Sequence, residues 1–346
     1  MLRTRDYDYT LPDDLIARHP LARREDSRMM VLHRDGERIE HRWFREFPSF
    51  LRKGDLVVLN DTRVIPARVF ADGGKIELLF LEAVRENVWK CLVKPGRKMR
   101  IGATVEVRGV VGVVEEILPD GERVIAFGGP VDLDAAGELP LPALLRARSR
   151  TRGRGALPDG LCAGAGCGGG ADGGTAFHAG NPRAGAAYLC DIARRGRHFS
   201  SVQVEDLAEH RMHAERFRIS EESARAINAA QRLVAVGTTT ARVLESQGLP
   251  IASCESSTDI FIHPPYRSRA VGALLTNFHL PKSTLLMLVS ALAGREFVLR
   301  AYAEAIAQRY RFYSLRRLHA HFIDASEANA ARALLPAARG CRSANH

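Results

Sequence analysis

The sequence predicts an α/β fold joined to a second region that forms a small antiparallel sheet or barrel. Two apolar runs, Leu56–Leu59 and Leu233–Val236, each end in polar residues, as buried strands of an α/β sheet do. From Lys75 to Phe127 the pattern changes to short alternating runs separated by turn residues, which is typical of antiparallel strands. At 346 residues the chain is long enough for two domains.

The first fifty residues predict one short helix and two strands. The helix is expected near Pro12, because proline favours the first helical turn. The strands are expected at Met29–His33 and Ile39–Trp43. A group of basic residues either meets phosphates or forms a solvated face; the group is His19, Arg23, Arg24 and Arg28.

The alternating region predicts five strands with a basic turn on its rim. The predicted strands are Lys75–Leu81, Val88–Val93, Thr104–Val107, Val110–Ile117 and Arg123–Phe127. The basic turn, Lys94–Lys98, is either an RNA contact or a solubilising loop.

The C-terminal half predicts three helices. One begins near Ser220 and one follows the Gly237–Thr240 turn, where glycine lets a ligand approach the backbone. The third is a core helix over Leu285–Ala293. Pro281 fits its first turn, and Ser283 or the next residue, a threonine, is expected to cap it.

The polar residues at the strand ends are candidate ligand contacts. Open α/β sheets bind ligands beyond the carboxyl ends of their strands, so we expect Asn60–Arg63, Gly237–Thr240 and Thr276–Lys282 to converge on one pocket. The alternative is ordinary strand-to-helix turns, with an internal Asp61–Arg63 pair. The candidates are Asn60, Asp61, Thr62, Arg63, Arg68, His210, Arg211, His213, Gly237, Thr238, Thr239, Thr276, Asn277, His279 and Lys282.

The side-chain types in this set suit specific tasks. Asp61 can accept from a ribose hydroxyl, and Arg68 can bind a phosphate or carboxylate with two donors. His210 and His213 titrate near neutrality and can act as a base or contact substrate, or they pair with neighbouring glutamates. The spacing of this His and Glu cluster does not match a metal-binding pattern.

The net charge of +10 is weak evidence for RNA binding because it is concentrated in two segments. Residues 143–200 contribute +6 and residues 315–346 contribute +3, so the rest of the chain sums to +1. We expect a cytoplasmic protein with no membrane segment, since no apolar run reaches transmembrane length and no apolar signal region is seen. The six cysteines are then expected as thiols.

Residues 143–200 lack the patterns of the rest of the chain. They hold 13 of the 30 glycines and three of the six cysteines, without any lysine or glutamate. The segment is either a linker or, with spacing that fits no common zinc pattern, a metal cluster of Cys162, Cys167, His178 and Cys190. We expect irregular structure here and in residues 315–346.

Five segments of the chain together resemble one known family. They are DYDYTLPDDLIARHPLARREDSRMMVL, GDLVVLNDTRVIPARVF, VQVEDLAEHRMHAERF, VAVGTTTARVLES and LLTNFHLPKSTLLMLVSALAGRE. These segments resemble the S-adenosylmethionine:tRNA ribosyltransferase-isomerases of queuosine biosynthesis. The resemblance covers most of residues 1–141 and 201–314. It departs at Ser268, where an aromatic or apolar residue is usual, and at Gly272, where an aspartate is usual.

The resemblance implies both architecture and activity. It implies an α/β main domain of residues 1–62 with 201–314, and an inserted β-barrel domain of residues 63–142. The implied reaction transfers and isomerises the ribosyl group of S-adenosylmethionine onto 7-aminomethyl-7-deazaguanine in tRNA, giving epoxyqueuosine. S-adenosylmethionine is a substrate, no cofactor or metal is implied, and we expect a monomer.

The resemblance also suggests roles for the candidate residues. His279 or His213 would transfer a proton, with Asp61 and Thr238 at the ribose or adenine. The cationic residues Arg63, Arg68 and Lys282 would meet tRNA or the methionine carboxylate. A non-catalytic RNA-binding protein and an inactive product of a damaged gene are the rival hypotheses.

A shifted reading frame is one hypothesis for the two atypical segments. With suitable synonymous codons, residues 156–163 read one base later become R-Y-Q-T-V-C-A, and residues 166–178 become A-V-A-A-A-P-T-A-G-L-H-F. Residues 185–200 and 315–322 likewise yield L-H-V-G-A-G-T-F and Y-G-D-C-M-L-I. These strings resemble motifs of the family that the written chain lacks, so we expect the chain as written to be nearly inactive.

Overall fold

The computed structural model describes residues 2–16, 27–60, 66–138, 184–189, 204–210, 212, 214–312 and 320–324. These residues form two seven-stranded sheets and one two-stranded ribbon. Five α-helices lie in the described part of the chain, and none of them is long and apolar enough to cross a membrane. The arrangement is an α/β fold with a small barrel-like second sheet.

The main sheet is mixed. Its strands are β1 Arg28–His33, β2 Arg38–Trp43, β3 Asp55–Asn60, β11 Ala184–Leu189, β13 Arg232–Val236, β15 Val271–Asn277 and β16 Ala320–Asp324. They lie in the order β11-β3-β13-β15-β16-β1-β2. The first four members of this order run parallel to one another, whereas β15 pairs antiparallel with β16 and β1 antiparallel with β2.

Both faces of the main sheet are buried, which explains the continuous apolar runs of its central strands. Along β3, Leu56 and Val58 pack into one cluster of buried residues, while Val57 and Leu59 pack into a second. The second cluster is covered by the 3₁₀ segment Phe44–Phe50. Successive side chains of β3 point to opposite faces of the sheet, so the strand contributes to both core clusters.

Four helices surround the main sheet and the fifth accompanies the barrel. The main-sheet helices are α2 Glu221–Ala229, α3 Thr238–Gln247, α4 Thr284–Ala293 and α5 Arg295–Ala307; the barrel helix is α1 Leu133–Ala136. Ser220 caps α2 and Ser283 caps α4, each accepting a backbone N–H at the third helical position. Buried residues of all four main-sheet helices join the first core cluster.

The second sheet is antiparallel and curls around its own core. Its strands are β4 Arg68–Ala71, β5 Ile76–Arg85, β6 Val88–Lys94, β7 Thr104–Val107, β8 Val110–Ile117, β9 Arg123–Phe127 and β10 Gly137–Glu138. They lie in the order β10-β4-β5-β6-β9-β8-β7. The end strand β7 approaches β4 at the other side of the sheet, since the Glu106 N–H on β7 donates to Oδ1 of Asp72, directly after β4, at 2.9 Å. All of these strands lie inside the predicted 63–142 insert.

A ribbon of two strands connects the two sheets. It consists of β12 Glu215–Ile219 and β14 Cys254–Thr258, paired antiparallel. Arg216 on β12 forms an ion pair of 2.8 Å with Glu82 on β5. The ribbon therefore contacts the barrel at one end of β5.

The expectation of irregular structure in residues 143–200 and 315–346 is wrong for two stretches. Residues 184–189 form β11, which pairs parallel with the edge of β3. Residues 320–324 form β16, which lies between β15 and β1. Phe322 and Ile323 are 1% and 0% exposed, so this stretch carries enough apolar surface to repay its ordering. The rest of both segments, including the four residues of the suggested metal cluster, lies outside the described residues.

Two local predictions at helix starts also need correction. Pro281 lies in a turn before α4, which begins only at Thr284, because Ser283 supplies the cap. The helix expected near Pro12 is a single 3₁₀ turn, Asp13–Leu15, followed by a bridge between Ile16 and Phe312. Pairing with Phe312 draws the backbone into an extended conformation and ends the helix.

Candidate active site at the strand ends

Three neighbouring strands of the main sheet end side by side, and we call the side of the sheet formed by these carboxyl ends the strand-end edge. β13 pairs parallel with β3 on one side and with β15 on the other. Ala235 is level with Val58 and with Leu274, so Asn60, Gly237 and Thr276, each two residues further on, lie abreast. We call the segments Asn60–Arg63, Gly237–Thr240 and Thr276–Lys282 the first, second and third joints. All three begin at the same side of the sheet, beyond the carboxyl ends of the parallel strands. Residues 61–63 of the first joint lie outside the described residues.

The second joint presents the N-terminus of α3 to this edge. Gly237 has φ of +87°, a conformation that favours glycine, and its N–H donates to the Leu275 carbonyl at 2.8 Å. It provides no side-chain cap, and a Cβ placed on it would meet no atom within 4 Å. Thr238 and Thr239 are 8% and 9% exposed. No side chain caps the first N–H groups of α3, and the space beside Gly237 is open.

His279 is held on three sides at the third joint. Its Nε2 lies 3.3 Å from Thr276 Oγ1. Its backbone N–H donates to the Tyr302 hydroxyl at 3.1 Å, and its carbonyl accepts from the Tyr9 hydroxyl. The two tyrosine rings contact each other with centroids 5.4 Å apart. The backbone of His279 is therefore held by two tyrosines that are distant in the sequence, and its imidazole by the nearby Thr276.

Burial controls the protonation of this cluster. Desolvation lowers the pKa of His279 from its ordinary 6.5 to about 3, so the imidazole is neutral at physiological pH. Desolvation also raises the pKa of Tyr9 and Tyr302, so both hydroxyls keep their protons. The same low pKa makes the imidazole a weak base in the free protein. At 7% exposure, His279 also has little direct access to solvent.

Asn277 and Lys282 differ in how they are engaged. Asn277 Oδ1 is buried and accepts no hydrogen bond from the described residues. Lys282 Nζ forms an ion pair of 2.8 Å with Asp8, and its backbone N–H donates to the Tyr7 carbonyl at 3.0 Å. Asn277 therefore offers an acceptor at the strand end, whereas the ammonium of Lys282 is already paired.

Arg68 lies in the barrel and is buried. It is on β4, 7% exposed, with Nε 2.9 Å from Glu77 Oε1. A buried guanidinium engaged by a carboxylate is poorly placed to bind phosphate. Five further candidates fall outside the described residues: Asp61, Thr62, Arg63, Arg211 and His213.

His210 belongs to a row of three half-buried rings that contact one another edge-to-face or tilted. Its ring centroid lies 5.1 Å from that of Phe261, which lies 4.7 Å from that of His263. His263 Nδ1 is 3.0 Å from the Pro264 carbonyl, which only accepts, so Nδ1 carries the proton. Sequence reasoning identified His210 but missed the other two rings, because they follow it by about fifty residues in a loop without a motif.

Sequence reasoning also missed a buried ion pair and a buried carboxylate on α3. Arg242 and Glu215 of β12 lie 3.2 Å apart with side chains 3% and 1% exposed. Glu245 is fully buried and accepts from the Tyr266 and Ser268 hydroxyls and from three consecutive backbone N–H groups of residues 269–271. Glu245 thereby fixes the loop that leads into β15. No local signal distinguishes either residue from an ordinary solvated helix charge.

The two departures from the family pattern lie away from the strand-end edge. Gly272 is at the start of β15, and a Cβ there would come within 2.5 Å of Arg232 Cγ. Arg232 uses that space to reach Asp55, with Nε 2.9 Å from Oδ1. The Ser268 hydroxyl lies 2.7 Å from Glu245. Gly272 therefore does not remove a carboxylate from the candidate site.

The fold and this edge define an α/β protein with a barrel-like second sheet and a candidate ligand site beyond parallel strand ends. The chain belongs to the queuosine biosynthesis protein family, whose model matches residues 4–155 and 196–315. Apart from residues 1–3, the residues left unmatched are 156–195 and those after 315, and these fall within the two segments that lack sequence patterns.

Relatives cover nearly the whole chain. A protein of Symbiobacterium thermophilum is 43% identical, with 90% of this chain and 98% of its own length aligned. One of Gloeobacter violaceus is 41% identical, with 90% and 93% aligned. Both are named S-adenosylmethionine:tRNA ribosyltransferase-isomerase. The crystal structure of S-adenosylmethionine tRNA ribosyltransferase from Thermotoga maritima is 35% identical, with 92% of this chain and 99% of that chain aligned and a TM-score of 0.49.

Proposed function

We propose that this chain is an S-adenosylmethionine:tRNA ribosyltransferase-isomerase. It would transfer and isomerise the ribosyl group of S-adenosylmethionine onto 7-aminomethyl-7-deazaguanine in tRNA, giving epoxyqueuosine and releasing adenine and methionine. The observation that carries the proposal is the 43% identity to a relative of that name over 90% of this chain. S-adenosylmethionine serves as a substrate, and no further cofactor is part of the proposal.

The reaction requires a base to remove a proton from the carbon next to the sulfonium. We assign that role to His279, because its imidazole is held at the strand-end edge by Thr276 and two tyrosines. Its pKa of about 3 makes it a weak base in the free protein, so proton transfer requires that the bound substrate raise this pKa. His213 is the alternative base and lies outside the described residues. Because the imidazole of His279 is already desolvated, a substrate that reaches it would displace little solvent.

The other parts of S-adenosylmethionine need a polar acceptor and an anion site. Asn277 Oδ1, buried without a partner among the described residues, suits the adenine amino group or a ribose hydroxyl. Thr238 and Thr239, at the uncapped start of α3, suit the methionine carboxylate, because a helix N-terminus favours negative charge. Asp61 is proposed at the ribose, with Asn60, Thr62, Arg63, His210, Arg211, Gly237 and Lys282 around the two substrates.

The buried state of Arg68 changes its proposed role. Its pairing with Glu77 supports a structural function in the barrel over a direct contact with tRNA. The proposed partners are tRNA and S-adenosylmethionine, and the proposed active form is a monomer, which light scattering of the purified protein would test.

The test is an assay on tRNA that carries the precursor base, with epoxyqueuosine measured by nucleoside mass spectrometry and adenine by chromatography. His279→Gln should lower kcat by about 100-fold or more, the usual contribution of a general base. The matched control is His33→Gln. His33 is level with Ala273 across the intervening strand β16, so it lies towards the end of the sheet where β15 begins, away from Thr276. Full epoxyqueuosine formation by His279→Gln would show that His279 only shapes the turn.

Calorimetry with S-adenosylmethionine separates the proposal from a non-catalytic RNA-binding protein. The proposed enzyme binds S-adenosylmethionine, and Thr238→Ala with Asn277→Ala should weaken that binding. A protein that binds tRNA and gives no heat with S-adenosylmethionine would be an RNA-binding protein without this activity.

A further inference from the structure

We propose that a basic turn of the barrel is a docking surface for the phosphate backbone of the RNA substrate. The basic turn Lys94–Lys98 is followed closely by Arg100, and from here the name covers four cations, Lys94, Arg97, Lys98 and Arg100, at and after the end of β6. That the RNA is a tRNA rests on the proposed function; that the turn binds an RNA backbone rests on its own charge and geometry.

The four cations of the basic turn are exposed and unneutralised. None of them forms an ion pair within the part of the chain that the structure describes. Some exposed arginines elsewhere have carboxylate partners at 2.5 to 2.8 Å, namely those of the pairs Arg85–Glu115, Arg300–Glu37 and Arg309–Asp14, whereas others such as Arg108 and Arg218 have none among the described residues. No acidic residue occurs in the sequence between Glu86 and Glu106. The basic turn therefore concentrates positive charge that the fold does not use.

The backbone of the basic turn is held in place by hydrogen bonds from a side chain of the neighbouring strand β9. Arg123 on β9 donates from Nη2 to the Gly96 carbonyl at 3.0 Å and from Nε to the Met99 carbonyl at 3.2 Å. Its third nitrogen donates to the Gly121 carbonyl. Met99 itself is 1% exposed and packs in the barrel core. The exposed cations thus project from a fixed backbone, which lowers the entropy lost on binding.

The bracing group, Arg123, is itself a cation, so it adds to the positive charge at the turn. A fifth positive charge lies directly beneath the turn, with Arg123 Nη2 only 3.1 Å from a Cβ placed on Gly96. The carboxylates nearby are engaged elsewhere or buried. Glu77, opposite Lys94 on β5, binds Arg68 at 2.9 Å, and Glu122 is 4% exposed. An anionic partner would be attracted to this charge, and a polyphosphate backbone matches several cations at once.

The charge of the basic turn is a local feature. Outside residues 143–200 and 315–346 the net charge of the chain is only +1. A cluster of four cations is therefore not explained by a surface that is basic throughout. The turn lies about 13 Å along β6 from Lys90, at ~3.3 Å per residue. Lys90 and Arg216 of the ribbon share Glu82, so the basic turn is at the end of β6 away from that junction. The basic turn is therefore separate from the junction between the barrel and the ribbon.

The test compares two triple variants of the full chain with equal loss of charge. The first is Arg97→Gln/Lys98→Gln/Arg100→Gln. The control is Lys53→Gln/Arg267→Gln/Arg269→Gln, whose exposed cations precede β3 and β15 at the sheet edge opposite the strand ends. Binding of tRNA is measured at several salt concentrations, with KM for tRNA, kcat and the Kd for S-adenosylmethionine.

The first variant should bind tRNA about tenfold more weakly near 0.1 M salt and reduce the slope of log K against log salt by about 2, as expected for three lost phosphate contacts. KM for tRNA should rise with kcat and the Kd for S-adenosylmethionine unchanged, while the control behaves as wild type. Equal tRNA binding by both variants would overturn the proposal. So would weaker binding of polyglutamate with unchanged tRNA binding, which indicates an acidic protein partner. Turn-dependent tRNA binding without turnover would leave the docking surface standing and refute the proposed enzyme activity.

Discussion

At the scale of single residues, the candidate site depends on one desolvated imidazole. His279 is 7% exposed, and burial holds its pKa at about 3. In the unfolded chain the same group titrates near its ordinary value of 6.5. Between these two pH values the unfolded state binds one more proton than the folded state, so stability must fall as pH falls through this window.

We expect His279→Gln to flatten the acid dependence of stability. The wild type should lose about 1.4 kcal/mol per pH unit from this group as pH falls from 6.5 towards 3, and the variant should lose none of it. Urea unfolding at pH 7.5, 6.5, 5.5 and 4.5 measures the free energy of unfolding of both proteins. Parallel curves for the two proteins would mean that His279 is not desolvated in the fold.

The buried Arg242–Glu215 pair gives a second prediction at this scale. Arg242→Met should destabilise the fold by about 3 kcal/mol, because it leaves Glu215 buried without its cation. Replacing both residues by methionine should cost less than the single change. The exposed pair Arg225–Glu221, with side chains 73% and 80% exposed, is the control. Its loss should change the urea midpoint little, and an equal effect at both pairs would contradict the account.

At the scale of elements, β16 decides how the main sheet is completed. It pairs parallel with β1 and antiparallel with β15, and thereby joins the N-terminal strands to the strands that carry the candidate site. Phe322 packs against Phe47 with ring centroids 5.4 Å apart, in the second core cluster. Without this strand, β1 and β15 would each expose an unpaired edge inside the sheet.

Phe322→Ala should therefore cost about 3–5 kcal/mol, the range for deleting a buried phenylalanine. Thermal and urea unfolding of this variant would measure the loss. The comparison is Phe70→Ala, because Phe70 is 46% exposed on the barrel and should matter little. If residues after 314 had no role in the fold, as the shifted-frame hypothesis implies, Phe322→Ala would leave the unfolding midpoint unchanged.

At the scale of the whole molecule, two sheets supply separate functions to one proposed reaction. The main sheet aligns Asn60, Gly237 and Thr276 at one edge, and the barrel carries the basic turn on a rim away from the ribbon. The family match is interrupted only over residues 156–195 before it ends at 315. The interruption contains most of the glycine-rich sequence, which can bury little apolar surface to offset its ordering entropy.

The shifted-frame hypothesis predicts that restoring the alternative frame over residues 156–195 raises turnover. The restored chain would regain apolar and histidine-bearing segments in place of glycine and arginine. Both chains would be assayed for epoxyqueuosine on the same precursor tRNA, with limited proteolysis as a second measurement. Equal turnover and equal cleavage patterns would refute the hypothesis and make the segment a tolerated insertion.

The sequence by itself determined the class of fold, the position of most strands and the family. Apolar runs such as Leu56–Leu59 and alternation such as Thr104–Val107 are local patterns, and local backbone geometry follows from them. The strand ends abreast at one edge were likewise expected from the parallel arrangement of an α/β sheet. Family motifs are also local strings, so the amino-acid order alone is enough to identify them.

Only the tertiary structure decided which distant groups meet. Tyr9 reaches the His279 carbonyl across 270 residues, Arg232 reaches Asp55 across 177, and the residues of β16 pair with strands near both ends of the chain. Such contacts leave no periodicity in the sequence, because either partner by itself resembles an ordinary polar or apolar residue. Burial then turns the same residues into a neutral imidazole and a buried ion pair, since desolvation depends on everything packed around a group.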